Sequence, residues 1–165
     1  MTKLQDIIQC GKIGNAEIIK HDGILYLLID GLKWMSDEYY EYISNAEIIE
    51  RAHGDVLIAG LGLGLILLPM FEDDKVETIT VLENNHNVID LVFPMITQAD
   101  THSKLDVIYH DANILPDGEY DTIFLDVQNN ESEKKQSDEL KEKYRAILKP
   151  GGYISAWLDF YPLKK

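Results

Sequence analysis

Cysteine is almost absent. Cys10 stands alone, so no intrachain disulfide can form, which fits a reducing cytoplasm. Positive charge is scarce too: 15 lysines and arginines face 29 aspartates and glutamates, a formal net charge of −14. Such a surface repels nucleic acid phosphates and anionic membranes and argues against both as partners. It suits a small cationic substrate, or it serves only to keep the protein soluble. Long apolar runs are missing. Val56 to Phe71 carries no charge but is interrupted by Gly60, Gly62, Gly64 and Pro69, and a membrane helix needs about 20 apolar residues. The first residues, MTKLQDIIQCGK, lack the apolar stretch of a signal peptide. Metal-ligand spacing is absent among His21, His53, His86, His102 and His110, and neither a His-Glu-x-x-His pattern nor a nucleophile elbow occurs.

What remains is ordinary globular composition, 45% hydrophobic and 27% charged over 165 residues, enough for one domain with a real core. Residues 16–21 and 24–29 flank Asp22-Gly23, a pair that favours a tight hairpin turn. Ser36 is expected to cap a helix with Asp37 and Glu38 in its first turn and Tyr39, Ile43, Ala46 and Ile49 at helical spacing. From Asp55 strands alternate with helices. Strands are expected near 55–59, 76–82, 105–109, 121–126 and 153–158, and helices near 63–71, 86–96 and 132–148, the first shortened by Pro69 and the last stopped by Lys149-Pro-Gly-Gly. The alternation implies an α/β fold with a parallel sheet. Residues 1–54 are expected to form an amino-terminal hairpin and helix and residues 55–165 a Rossmann-like domain, the two making one compact unit. The fifth strand is too apolar for a free edge, so a homo-oligomer is expected through that edge or the hairpin. A monomer mass in light scattering at micromolar concentration refutes this.

Open parallel sheets bind ligands beyond the carboxyl ends of their strands. Four such ends here carry suitable residues: Gly60-Leu-Gly-Leu-Gly64, Glu83-Asn84-Asn85, His110-Asp111-Ala112-Asn113 and Asp126-Val-Gln128-Asn129-Asn130. Glycines let the backbone approach a nucleoside, and a carboxylate about 20 residues later accepts both ribose hydroxyls. Gly60, Leu61, Gly62, Gly64, Glu83, Asn84, Asp111 and Ala112 are therefore the candidate ligand-binding residues. Gln128 and Asn129, with Tyr39 and Tyr42 and with Tyr40 between them, are candidates for holding a second substrate, although tyrosines at helical spacing also pack cores and interfaces.

The order of these motifs resembles the class I AdoMet-dependent methyltransferases. They run Asp55-Val-Leu-Ile-Ala-Gly-Leu-Gly-Leu-Gly64, Val81-Leu-Glu83, His110-Asp-Ala112, Ile123-Phe-Leu-Asp126 and Leu148-Lys-Pro-Gly-Gly152. Upstream, a hairpin ending Leu27-Leu-Ile-Asp-Gly-Leu32, followed by Asp37-Glu-Tyr-Tyr-Glu-Tyr42, is similar to the spermidine synthase branch. The resemblance covers roughly residues 16–158. It implies a Rossmann-like class I methyltransferase fold whose parallel sheet ends after the fifth strand, and a ligand that is S-adenosylmethionine (AdoMet), decarboxylated AdoMet or methylthioadenosine. It implies that the glycines line the ligand's tail, Glu83 the ribose, and Asp111 with Ala112 the adenine. Asp126 stands where spermidine synthases keep the carboxylate that deprotonates the attacking amine; a carboxylate that only orients ligand is the other reading.

The chain departs from the spermidine synthase pattern at Leu63 and Asn129, where that branch carries acidic residues, and at Trp34, where it carries glutamine. Each desolvated ammonium needs an opposite charge, so the departures put methyl transfer to a small molecule ahead of aminopropyl transfer to a polyamine. A third reading is a ligand- or partner-binding protein that kept the cleft and lost catalysis.

Overall fold

The computed structural model describes residues 3–127 and 133–160. Two sheets share the molecule. After a short helix, α1 (Leu4–Ile7), come four antiparallel strands in sequential order: β1 (Gly11–Ile13), β2 (Ala16–His21), β3 (Ile24–Ile29) and β4 (Leu32–Ser36). The expected hairpin is thus the middle of a four-stranded meander. Asp22-Gly23 and Asp30-Gly31 close its second and third turns, all four residues at positive φ, the conformation that matches the strand twist. The register shifts between Leu27 and Leu28: Leu27 pairs with Met35 and Leu28 with Lys33, so Trp34 is the extra residue of a β-bulge.

Ser36 does not cap a helix. It ends β4, and its hydroxyl donates to Glu38 at 2.7 Å. The helical segment then breaks at Asn45 into α2 (Tyr39–Ser44) and α3 (Ala46–Arg51). The Asn45 side chain donates to the Glu41 carbonyl at 2.8 Å, a local bond of the kind that competes with helix continuation.

The second sheet is parallel, in the order β7-β6-β5-β8-β9, with β5 (Gly54–Ala59) at its centre between β6 (Val76–Glu83) and β8 (Tyr120–Leu125), and β7 (Leu105–Tyr109) and β9 (Leu148–Ala156) outside. This is the Rossmann-like arrangement expected, and it brings every carboxyl end to one side. α4 (Leu67–Phe71) starts four residues later than expected. Pro69 lacks an N–H and fits only a first turn, and the glycines before it hold a turn rather than a helix. α5 (His86–Ile96) matches its expected limits, with Asn85 as cap. α6 (Lys134–Tyr144) ends in a short 3-10 turn, and β9 begins at Leu148, not at residue 153. Between Tyr120–Leu148 and Thr122–Tyr153 the β8–β9 ladder shifts register, so Lys149-Pro-Gly-Gly bulges out of the strand. β9 closes at Ala156, and Trp157–Asp159 form a 3-10 turn.

One continuous core joins the meander to the parallel sheet: Ile18, Leu25 and Leu27 lie in the same cluster as Val56, Ile58, Val88, Val92 and Phe124. Truncating such a residue to alanine costs about 2–5 kcal/mol, so the meander is a fixed wall rather than an appendage. On the opposite face Leu57, Ile123, Leu125, Leu140 and Tyr144 make a second cluster under α6. At the amino ends of the strands Lys149 reaches Asp55 at 2.7 Å and Asp121 at 2.8 Å, tying β5, β8 and β9 together away from the site. Among the described residues no helix is long and apolar enough to cross a membrane.

Candidate functional site

A cleft runs along the carboxyl ends of β5, β6, β7 and β8, under the wall made by β4 and α2. It has two halves, which share Trp34, Gly60, Glu83, Asp126 and Val127. The first, about 340 Å³, is lined by Asn84, His110, Asp111, Ala112 and Asn113. The second, about 450 Å³, is lined by Lys33, Met35, Glu38, Tyr40, Glu41, Gly62 and Trp157. Both are within the range of small-molecule sites.

The floor is made by close backbone approach. Gly60 has φ +103°, and a Cβ there would stand 2.3 Å from the Asp126 carbonyl oxygen. Its amide donates to Leu82, and the Asp126 amide donates to Ala59, so the glycine draws the ends of β5, β6 and β8 together. At Gly62 a Cβ would collide with the Met35 sulfur, which accepts from the Leu63 amide at 2.9 Å. Gly64 packs against Ile96 on α5 and does not line the cleft. Leu61 and Leu63 are buried in the core, Leu63 completely. Leu63 therefore leaves no gap in the cleft, and the glycine loop offers it backbone only.

Glu83 is fully oriented. One carboxylate oxygen accepts from the Leu61 amide and the other from the Asn85 amide, both at 2.9 Å. These bonds lock the glycine loop to the tip of β6 and leave the outer lone pairs facing the cleft, where a diol can donate. Asp111 is held similarly. Its Oδ1 accepts from the Asn113 amide at 2.8 Å and the Asn113 side chain at 3.0 Å, and these bonds keep its carboxyl below the usual carboxylate range. The Ala112 carbonyl accepts from the buried Tyr144 hydroxyl at 2.7 Å, and His110 bonds the Ile114 carbonyl at 2.8 Å, which fixes the turn.

The second half is electrostatically different. Burial pushes the Asp126 carboxyl up to about 7, with the negative charges of Glu41 and Glu83 adding to the effect. Burial also raises Glu41; Lys33 opposes that rise and Glu38 adds to it. Among the described residues no donated hydrogen bond offsets the rise at either acid. A carboxyl titrating near neutrality is suited to proton transfer.

Of the expected residues, Gly60, Gly62, Glu83, Asn84, Asp111, Ala112 and Asp126 come together in the cleft. Tyr39 and Tyr42 lie outside its lining, Tyr39 being 79% exposed, while Tyr40 between them lines it. Gln128 and Asn129 fall outside the described residues. Sequence reasoning passed over Lys33, Met35, Glu41 and Trp157. A second Asp-Gly pair at 30–31 was the available signal for β4, which carries two of them. Trp157 had no such signal: its 3-10 turn is held by Asp159, which bonds the Ala156 amide at 2.9 Å and Lys141 at 2.7 and 2.8 Å.

No protein-family model and no curated protein matches the sequence. Solved structures do. Spermidine synthase from Thermotoga maritima superposes with a TM-score of 0.65 at 20% identity, over 92% of this chain and 59% of that one. A spermidine synthase in complex with the transition state analogue AdoDATO gives 0.64 at 19% identity, over 90% of this chain and 55% of that one. A DhpI–SAH complex gives 0.52 at 17% identity, over 72% of this chain and 58% of that one. The fold is therefore shared with spermidine synthases and class I methyltransferases, and the chain spans somewhat over half the length of each of these proteins.

Proposed function

We propose that the protein is a transferase that binds an AdoMet-type nucleoside and moves an alkyl group, methyl in the leading form, from its sulfonium to a small amine. One observation carries the reading: the backbone-locked Glu83 shares a cleft with Asp126, a carboxyl poised near neutrality. Glu83 fits a ribose diol. Asn84, Asp111 and Ala112 fit an adenine edge, because a carboxylate there accepts from an exocyclic amino group. The complexes with AdoDATO and SAH among similarly folded proteins support the same ligand class.

The ligand supplies a carbon activated by a positively charged sulfur. An ammonium must first lose a proton to become a nucleophile, and Asp126 is the group positioned to take it. The amine lone pair then forms the bond to carbon as the carbon–sulfur bond breaks and its electron pair stays on sulfur. The sulfonium leaves as a neutral thioether, so the chain need only align donor and acceptor and keep water out. Trp34, Tyr40 and Trp157 supply apolar and aromatic walls for this, and Trp faces attract cations. Self-association through the outer edge of β9 or the meander belongs to the same reading.

The test is transfer of labelled methyl from AdoMet to a panel of small mono- and diamines. Label is expected in an amine, at a rate that rises with pH through about 7 as Asp126 loses its proton. Failure of AdoMet, decarboxylated AdoMet and methylthioadenosine all to bind in calorimetry overturns the reading. A second reading, aminopropyl transfer to a diamine, is favoured by Glu38 and Glu41, which add carboxylates to the half of the cleft that holds Asp126. Turnover of putrescine with decarboxylated AdoMet establishes it.

A further inference from the structure

The wall opposite the glycine loop is unusual in carrying both signs of charge. The bulge at Trp34 brings three consecutive residues, Lys33, Trp34 and Met35, to one cleft, whereas an unbroken strand alternates its faces. Lys33 is the only lysine or arginine lining either half of the cleft among the described residues. Its ammonium lies 2.6 Å from the Glu38 carboxylate and 5.1 Å from the centre of the Tyr26 ring. Glu38 also accepts from the Ser36 hydroxyl at 2.7 Å. Both charged groups are thus aimed by fixed partners, and both remain about half open: 52% of the Lys33 side chain and 40% of the Glu38 side chain are exposed.

The loop facing this wall brings no charge. The side chains of Leu61, Leu63 and Leu65 are all buried in the core, and only Gly60 and Gly62 of the loop reach the cleft. If the tail of a bound nucleoside lies along Gly60 and Gly62, a cation for its carboxylate can come only from Lys33 among the described residues. Glu38, beside Lys33, is the carboxylate placed to take its ammonium next to that contact, with Glu41 and Asp126 lining the same half. Lys33 and Glu38 form a plus–minus couple. An α-amino acid end, with carboxylate and ammonium on one carbon, is a minus–plus couple of similar span. A tail bearing only an ammonium complements Glu38 but meets Lys33 as a like charge.

We infer that Lys33 and Glu38 read the amino-acid end of the donor, so that the cleft selects a sulfonium nucleoside carrying an α-amino-acid zwitterion over its decarboxylated counterpart. This rests on the nucleoside-binding reading above and selects methyl over aminopropyl transfer within it. Opening the existing pair to admit the ligand costs little, because exposed ion pairs contribute little. A carboxylate bonded to Lys33 gains a charge-assisted hydrogen bond in return.

Calorimetry with four ligands tests the inference: methylthioadenosine, which has no charged tail, S-adenosylhomocysteine, AdoMet and decarboxylated AdoMet. S-adenosylhomocysteine is expected to bind about tenfold tighter than methylthioadenosine, the value of one hydrogen bond to a charged group. AdoMet should exceed decarboxylated AdoMet by a similar factor. In Lys33→Met the preference for AdoMet over decarboxylated AdoMet should fall to about one and that for S-adenosylhomocysteine over methylthioadenosine should shrink, Glu38 still meeting the ammonium. In Lys33→Arg most of each should survive, since the charge is kept. Both ratios should also shrink with added salt. If methylthioadenosine binds and S-adenosylhomocysteine binds no tighter, the inference fails and the nucleoside reading stands. The inference fails likewise if Lys33→Met leaves the ratios intact. If none of the four binds, both fail together.

Discussion

The two halves of the cleft are built by different means. In the half proposed for the nucleoside two acids are already satisfied: backbone amides hold both oxygens of Glu83, and Asn113 holds Asp111. These groups sit at the ends of parallel strands, where the sheet fixes their positions. In the other half no donated hydrogen bond among the described residues offsets the burial of Glu41 and Asp126; Glu41 and Glu83 push Asp126 up further, while Lys33 opposes the rise at Glu41 more than Glu38 adds to it. Its walls come from a bulge, a broken helix and a 3-10 turn. The first half is organised for recognition before any ligand arrives. In the second, Lys33 already pairs with Glu38 and opposes the rise at Glu41, and Asp126 is, among the described residues, the acid left without an opposing charge. On the proposed reading Glu83 and Asp126, which line both halves, play different parts, and each can be disturbed while the other reports.

The sharpest break is Asp126→Asn. Asparagine keeps the shape and cannot take a proton, so turnover should fall by ~10²–10⁴, the usual contribution of a general base. Nucleoside affinity should hold within about threefold, because the locked half supplies it. The pH dependence gives a second reading of the same variant. Asp126 has a folded-state pKa of about 7, above its unfolded value near 3.9. The folded protein therefore holds the proton more tightly, and the stability this brings is complete at low pH. It is lost as pH rises through about 7, where a charged carboxylate must stay in the cleft. Asp126→Asn should thus melt higher than the parent at pH 8, by a smaller margin at pH 5, the two converging only below the unfolded value near 3.9, while losing the limb of the rate profile near 7. Activity traded for stability in this way is common at sites that hold an uncomfortable group. Equal melting at both pH values would mean that the carboxyl is not desolvated.

Glu83→Ala attacks the other half. It removes the diol acceptor and orphans the Leu61 and Asn85 amides, each of which loses its partner at a cost of about 1–3 kcal/mol if water cannot replace it. Methylthioadenosine affinity should drop by about a hundredfold, with a lower melting temperature. Unchanged affinity in calorimetry would show that the ribose lies elsewhere and would dissolve the distinction between the halves.

What could be read from the sequence divides along the same line. Glu83, Asp111 and Asp126 end apolar strands, and alternation of strand and helix is enough to bring strand ends together in a parallel sheet. That is why five strands, α5 and most of the nucleoside half were visible in advance. The other half was not, because its residues owe their positions to irregularities. Trp34 and Lys33 face the cleft through a one-residue bulge, and Trp157 through a turn pinned by Asp159. Leu63 invited the opposite mistake. Read in line it marks a missing charge in the cleft, but its side chain points into the core, and the charge in that part of the cleft comes from Lys33, Glu38 and Glu41. Helix α4 shows the limit of pattern at short range: its apolar run extends back to Leu61, but the turn conformation of Gly62 and Gly64 and the first-turn preference of Pro69 delay it.

The smallest expected effect is also the most discriminating, because it probes how the two acids of the reactive half speak to each other. Glu41→Gln removes a charge without changing shape. Asp126 feels Glu41 and Glu83 directly, and Glu41 in turn feels Lys33 and Glu38. With Glu41 neutral, Asp126 keeps the burial that dominates its shift and loses only one of two repulsions. Its pKa should move down by only a small part of its rise, because burial is the larger cause. The rising limb of the rate profile should therefore shift to lower pH by that amount, with the plateau rate reduced a few-fold if Glu41 also steadies the ammonium of the acceptor. Glu41→Asp, which retracts the charge by one methylene, should fall between variant and parent. A limb that stays in place would mean that water screens the pair and that Asp126 is tuned by burial alone. A limb that moves upward would mean that Glu41 is protonated in the parent and donates to Asp126, which makes the two acids one proton-sharing pair rather than a base with a charged neighbour.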